Sequence, residues 1–152
     1  MSSRKTVIGL GIVCVGIADA LFKYFALQYL PGEQTANLQS VFTLAIHKNP
    51  GIAFDLPIPL FIVLPITLGI ASIFAYLGYI KWSSNTAQAL GALAAVVGAI
   101  GNAADRLINN FTTDYIILFR TSAINLSDIL IVIGILAVIW YDTRIPSAPT
   151  IK

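Results

Sequence analysis

A chain of 152 residues with 57% hydrophobic and only 11% charged side chains does not read as a soluble globule, where about 25% charge is ordinary. Its net charge of +2 is small and scattered, which argues against a nucleic-acid partner, and its basic residues flank apolar runs as membrane topology requires. With no repeat and no second domain in view, residues 1–152 read as a single integral membrane domain in which binding and catalysis share the same few segments.

Met1-Ser2-Ser3-Arg4-Lys5 followed by an apolar run has the look of a secretory signal, but three further apolar stretches follow, so a retained first span over about 6–27 is expected. Thr6–Ala18 is uncharged for only 13 residues, about 20 Å of helix, too little to cross about 30 Å of hydrocarbon. The span must therefore take in Asp19 and Lys23, an i,i+4 pair that by spacing alone says only that two charges neutralise each other. Cys14, the sole cysteine, excludes an internal disulfide and sits where a packing or lipid-facing role outweighs a reactive thiol.

In the next connection Phe42, Leu44 and Ile46 alternate with Thr43, Ala45 and His47, a period suited to a half-buried strand; His47, the only histidine, is read as structural. Asn49-Pro50-Gly51-Ile52-Ala53-Phe54 follows, either an ordinary Pro/Gly turn or an amide placed to bind extended peptide backbone. Residues 56–80 and 82–104 carry no charge, and the second and third spans are expected at about 57–80 and 86–105. Pro57, Pro59 and Pro65 lie at or near the start of the second, with Pro65 a candidate kink. Asn102 lies one helical turn from Asp105 and Arg106, so it can share a face with either; Arg106 offers a planar donor fork, though a plain Asp-Arg helix terminus is the alternative.

Tyr115 to Phe119 is again strand-like. The last uncharged run, Ile129–Tyr141, is 13 residues, so a fourth span over about 122–141 must carry Asn125 and Asp128 into the membrane. An aspartate near the centre of a spanning helix costs about 2.5–3.5 kcal/mol, less near the interface, and two such aspartates call for a reason. Arg4, Lys5, Lys81, Arg144 and Lys152 fall on one side, which the positive-inside rule makes cytoplasmic. Every acidic residue except Asp142 then falls towards the outer face. The fold class expected is an all-α membrane protein with four transmembrane helices and a small extracytoplasmic β-rich cradle.

Asp114 and Asp128 are the pair that could carry chemistry. Two carboxyls in contact at a low-dielectric interface share one proton, so one can act as base on a water while the other protonates a carbonyl oxygen. Spacing alone leaves open that Asp128 accepts hydrogen bonds from a neighbouring helix and Asp114 is a solvated turn residue. One histidine, one cysteine and no His-Glu-x-x-His or Gly-rich phosphate loop argue against a metal site or nucleotide-driven chemistry.

Five dispersed blocks resemble, in order and spacing, those of lipoprotein signal peptidase (signal peptidase II), an aspartyl membrane peptidase family. They are Asp19-x-x-x-Lys23, Asn49-x-Gly51-x-Ala53-Phe54, Gly98-x-x-Gly101-Asn102-x-x-Asp105-Arg106, Asp114 within Thr113-Asp114-Tyr115, and Asn125-x-x-Asp128. The resemblance implies an aspartyl dyad at Asp114 and Asp128, with Asn49, Asn102, Arg106 and Asn125 positioning substrate and dyad, and Asp19, Lys23 and Asp105 as structural polar residues. It implies cleavage of a diacylglyceryl-modified prolipoprotein before the lipidated cysteine. It also implies a site near the outer face of a bacterial plasma (inner) membrane, with both termini cytoplasmic. Expected partners are that substrate and membrane lipid, with no nucleic acid, no cofactor, no metal, and a monomeric state. The chain departs from the family pattern at Val97, where a glycine is usual, at Tyr115, where phenylalanine is usual, at Ser127, where alanine is usual, and at Pro50. Two other classes compete: a small proton-coupled carrier, for which intramembrane carboxylates would mark an ion path, and a non-catalytic assembly subunit, which would not need both aspartates.

Overall fold

Four helices and one small sheet make up the computed structural model, which describes residues 2–36, 40–51, 56 and 58–142. In chain order these are α1 (Ser2–Tyr29), β1 (Phe42–Asn49), α2 (Leu60–Lys81), α3 (Thr86–Asn109), β2 (Thr112–Leu118), β3 (Ser122–Ile124) and α4 (Leu126–Asp142). Pro57, Asp55 and the 52–54 part of the Asn49 motif lie outside the described residues. Pro59 caps α2 and Pro65 lies inside it without ending it.

Among the described residues three helices, α1, α2 and α3, are long and apolar enough to cross a membrane. α4 has 17 residues, about 25 Å. The start expected near 122 is where the structure differs: residues 122–124 form an edge strand antiparallel to β2, and the helix begins only at Leu126. The reason is local. Asn125 Oδ1 accepts the Asp128 backbone N–H at 3.0 Å while Asp128 Oδ2 accepts the Asn125 backbone N–H at 3.1 Å, a reciprocal capping box that fixes the first turn.

α3 is the hub, packed against α4, α2 and α1. Its most apolar window is 56% buried, against 11% for those of α1 and α2, and its inward face is small: Ala89, Gly91, Ala92, Ala95, Gly98 and Ala99 are all buried. Small residues let helix backbones approach, the usual means of packing where lipid removes the hydrophobic drive between helices. At Gly98 the approach is close enough that a Cβ would run into the Ser127 carbonyl oxygen of α4.

The outward surface is apolar, and the largest fully buried side chains are polar. Tyr79, Ile108 and Phe61 stand out at 81%, 77% and 76% exposure, while Asp19, Asn125 and Ser127 are fully buried; this inversion suits a lipid solvent. Cys14 is exposed on the same apolar surface. Lys5 joins the start of α1 to the α2–α3 turn, donating to the Trp82 carbonyl at 3.0 Å and lying over its ring. The sheet sits at the opposite end of the bundle. It is antiparallel in the order β1-β2-β3, with a register slip between Leu44 and His47. That slip breaks the alternation read from the sequence, so Leu44 is exposed while Ala45 and Ile46 are both buried.

Candidate active site

Side-chain alternation on β2 sorts the site into two faces. Thr113 and Tyr115, two residues apart, dock on the helices: Asp105 of α3 accepts the Thr113 backbone N–H at 2.6 Å and its hydroxyl at 3.2 Å, and Asp19 of α1 accepts the Tyr115 hydroxyl at 2.8 Å. Burial first, then Asp19, pushes the Tyr115 phenol well above its ordinary range, so it stays a donor. Asp114, between them, meets Asn125 and Asn49 instead.

Asp19 is the node that ties α1 to the rest. It accepts the Leu126 backbone N–H at 3.1 Å and the Ser127 hydroxyl at 2.6 Å, and it pairs with Lys23 at 3.0 Å. The hydroxyl that distinguishes Ser127 from the usual alanine is thus directed at Asp19. Lys23 also lies 3.6 Å from Asp105 and donates to Asn102 Oδ1 at 2.7 Å. These charges share one buried cluster, and desolvated charges persist only when paired in this way.

The two carboxyls singled out from the sequence are brought to the two ends of one asparagine. Asn125 Nδ2 donates to Asp114 Oδ1 at 2.6 Å, and the Asn125 backbone N–H donates to Asp128 Oδ2. Asn102 Nδ2 donates to Asp128 Oδ1 at 2.7 Å, and Asn49 Nδ2 reaches Asp114 Oδ2 at 3.4 Å. Asp114 is 2% exposed, and burial, then the neighbouring Asp128 carboxylate, pushes its carboxyl up to about 7. Arg106 donates through Nη2 to the Gly51 carbonyl at 3.0 Å; its Nε is buried without a partner among the described residues, and its charge acts on Asp128, Asp114 and Asp105. All nine residues singled out from the sequence therefore lie in one connected cluster. Sequence reading missed the part Tyr115 plays in it, and Thr113 was given no role. His47 pairs with Glu33 at 2.7 Å on the edge of the site.

An apolar cavity of about 430 Å³ adjoins the cluster, lined by Phe22, Phe25 and Tyr29 of α1, Leu44 and Tyr115 of the sheet, and Leu126. A larger one of about 710 Å³ lies between α2 and α3 around Trp82 and Leu93, at the far end of the bundle from any of these carboxyls.

Residues 11–144 match the family model described as signal peptidase (SPase) II. The chain belongs to that family. It is accordingly an aspartic peptidase, a membrane hydrolase. It is 28% identical over 144 residues to the lipoprotein signal peptidase of Sinorhizobium fredii, covering 90% of this chain and 86% of that one. Its fold is shared with a bacterial membrane enzyme solved by the in meso method at 2.3 Å resolution, with a TM-score of 0.75 at 21% identity over 99% of this chain and 95% of the other. A second such structure, at 1.9 Å, gives a TM-score of 0.74 at 21% identity over 93% and 94%.

Proposed function

We propose that this protein removes signal peptides from diacylglyceryl-modified prolipoproteins, cleaving before the lipidated cysteine with Asp114 and Asp128 as a proton-sharing dyad. The observation that carries this is the pair of carboxyls, Asp114 buried and Asp128 half-buried, held on a single asparagine, Asn125. In such a pair one member takes a proton from water while the other protonates the scissile carbonyl oxygen. Asn125 and Asn102 hold the pair, while Asn49 and Arg106 shape the 49–51 turn beside it, where extended substrate backbone would lie. Asp19, Lys23 and Asp105 fix the helices beneath. The apolar cavity beside Tyr115 suits a lipid-bearing substrate.

In this reading residues 1–152 form one domain that spans the bilayer four times. α4 completes its crossing with the help of the sheet at its start, and both termini are cytoplasmic. Arg4, Lys5 and Lys81 gather at the end of the bundle where Lys5 meets Trp82, and the dyad lies at the other end, near the extracytoplasmic face of a bacterial plasma membrane. An ion carrier would need groups at several depths, whereas the buried charges here form one cluster.

Purified protein in detergent, given a lipidated prolipoprotein, is expected to release a product whose new N-terminus is the lipidated cysteine, and to leave the unlipidated precursor intact. Cleavage elsewhere, or equal cleavage of both, would refute the substrate assignment.

A further inference from the structure

Three asparagine amides touch the two carboxyls, and each is oriented by a group that can only donate. Lysine has no acceptor, so the atom of Asn102 that faces Lys23 at 2.7 Å is its oxygen, and its Nδ2 must face Asp128 Oδ1. The backbone N–H of Asp128 holds Asn125 Oδ1 and turns its Nδ2 to Asp114 Oδ1. The backbone N–H of Gly51 holds Asn49 Oδ1 at 3.0 Å and turns its Nδ2 to Asp114 Oδ2. The remaining carboxyl oxygen, Asp128 Oδ2, receives the Asn125 backbone N–H.

Hydrogen bonds donated to a carboxyl favour its charged form. Both oxygens of Asp128 receive such bonds, at 2.7 and 3.1 Å, as does Asp114 Oδ1 at 2.6 Å, while among the described residues Asp114 Oδ2 has only the 3.4 Å contact from Asn49. A pair that keeps one proton has one oxygen on which it displaces little. We infer that the resting dyad carries its proton on Asp114 Oδ2 and keeps Asp128 as the carboxylate, with Lys23 as the positioning residue that enforces this through Asn102. The inference rests on reading Asp114 and Asp128 as the catalytic pair.

Among the described residues, the titratable and charged groups facing Asp114 are Asp128 from α4, Arg106 from α3 and His47 from β1. Asp128 faces Lys23 and Asp19 from α1 and Arg106 from α3. The position of Asp114, pushed up to about 7 by burial and by Asp128, agrees with a proton held there near neutrality.

The assignment gives each carboxyl a role. Asp128 takes a proton from water as the water oxygen bonds to the scissile carbonyl carbon; the carbonyl π pair moves onto its oxygen, which takes the Asp114 proton. In collapse of the gem-diol the C–N bond breaks, its electron pair leaving on nitrogen, which takes the proton from Asp128. One gem-diol hydroxyl returns its proton to Asp114 as the product carboxyl forms. The dyad ends as it began, so no separate proton-transfer step is needed before the next turnover.

The test is carbon-13 NMR of protein labelled at the aspartate carboxyl, in micelles at mildly acid pH. The Asp114 and Asp128 signals are identified by their loss in Asp114→Asn and Asp128→Asn. The expected result is the shift of a neutral carboxyl, with a deuterium isotope effect, at Asp114, and the shift of a carboxylate at Asp128. A proton on Asp128, on both or on neither overturns the assignment. In Lys23→Met the Asn102 amide is free to reverse and accept from Asp128 Oδ1, so the isotope effect is expected to appear at Asp128, and Lys23→Arg is expected to restore the original pattern. If Lys23→Met does not fold, Asn102→Asp keeps the volume and the Lys23 contact but replaces the donor facing Asp128 with an acceptor. The isotope effect must then reach Asp128 or the introduced carboxyl, and an unchanged wild-type pattern in either variant overturns the role of Lys23. Cleavage is scored separately: full activity in Asp114→Asn with the proton still found on Asp114 in the wild type would remove the catalytic reading while leaving the proton assignment in place.

Discussion

Replacing Asp19 with asparagine changes one oxygen to an NH₂ group at a side chain that is fully buried and receives donors from Tyr115, Leu126, Ser127 and Lys23. The Asn oxygen can still accept from Tyr115 and Leu126, which share Oδ1. The amide nitrogen then faces Lys23 and Ser127 in place of Oδ2. Breaking a buried ion pair from one side costs about 3–5 kcal/mol. Because Lys23 keeps Asp105 at 3.6 Å and Asn102 at 2.7 Å, the lower end applies, about 3 kcal/mol by the same rule. For a chain of this size that corresponds to a fall in Tm of about 6–12 °C. Ser127→Ala removes one hydrogen bond to a charged acceptor, about 1.5 kcal/mol. Since both changes act on Asp19 Oδ2, the double variant should lose less than the sum of the two. Thermal unfolding in detergent, followed by the fluorescence of Trp82 and Trp140, measures all three. An Asp19→Asn variant within about 1 kcal/mol of wild type, or losses that add fully, would refute Asp19 as the node, because contacting residues in one network are coupled by about 0.5–3 kcal/mol.

With Asp114 pushed up to about 7, cleavage that needs the dyad proton should hold below that pH and fall above it; the limb belongs to the coupled pair, and a flat profile through pH 7 contradicts it. The same raised carboxyl binds its proton more tightly in the folded protein. Its contribution to stability is therefore fully present below the unfolded value of 3.8 and lost as pH rises through about 7, which a Tm series against pH measures. Gly98→Ala drives a methyl into the Ser127 carbonyl; overpacking of this kind costs about 1–3 kcal/mol, and an unchanged Tm would mean that α3 and α4 are not in the close contact described. Single cysteines at Glu33 and Asn110 should label from outside intact cells and one at Ser84 should not; the reverse pattern would invert the proposed topology.

Helix positions were legible because long uncharged runs have few alternatives, and the polar residues stood out because each interrupts such a run at a cost. Asn125-x-x-Asp128 was legible as a motif but not as the device that starts α4, since a capping box competes with continuation of a span back to Ser122. Edge strand β3 follows a turn in which Phe119 and Arg120 both have positive φ, 51° and 69°. Hairpin turns of that type usually announce themselves by Asn-Gly, and this one does not. The register slip after Leu44 has no local signature, so the alternation in β1 misled on which side chains are buried. The Tyr115 hydroxyl meets Asp19 across 96 residues, a contact set by tertiary packing alone. Ser127 was visible as an added hydroxyl, but its partner was not.

The central claim is that Asp114 and Asp128 act as one proton-sharing unit, and it is tested most directly by the turnover of Asp114→Asn, Asp128→Asn and the double variant on lipidated prolipoprotein. Each substitution is near-isosteric, so folding and substrate binding should persist. General acid–base catalysis is worth about 10²–10⁴-fold, and groups that act as a unit lose about as much singly as together. The account predicts that either single variant loses as much as the double. Modest single losses that multiply in the double variant would show two independent carboxyls and contradict it.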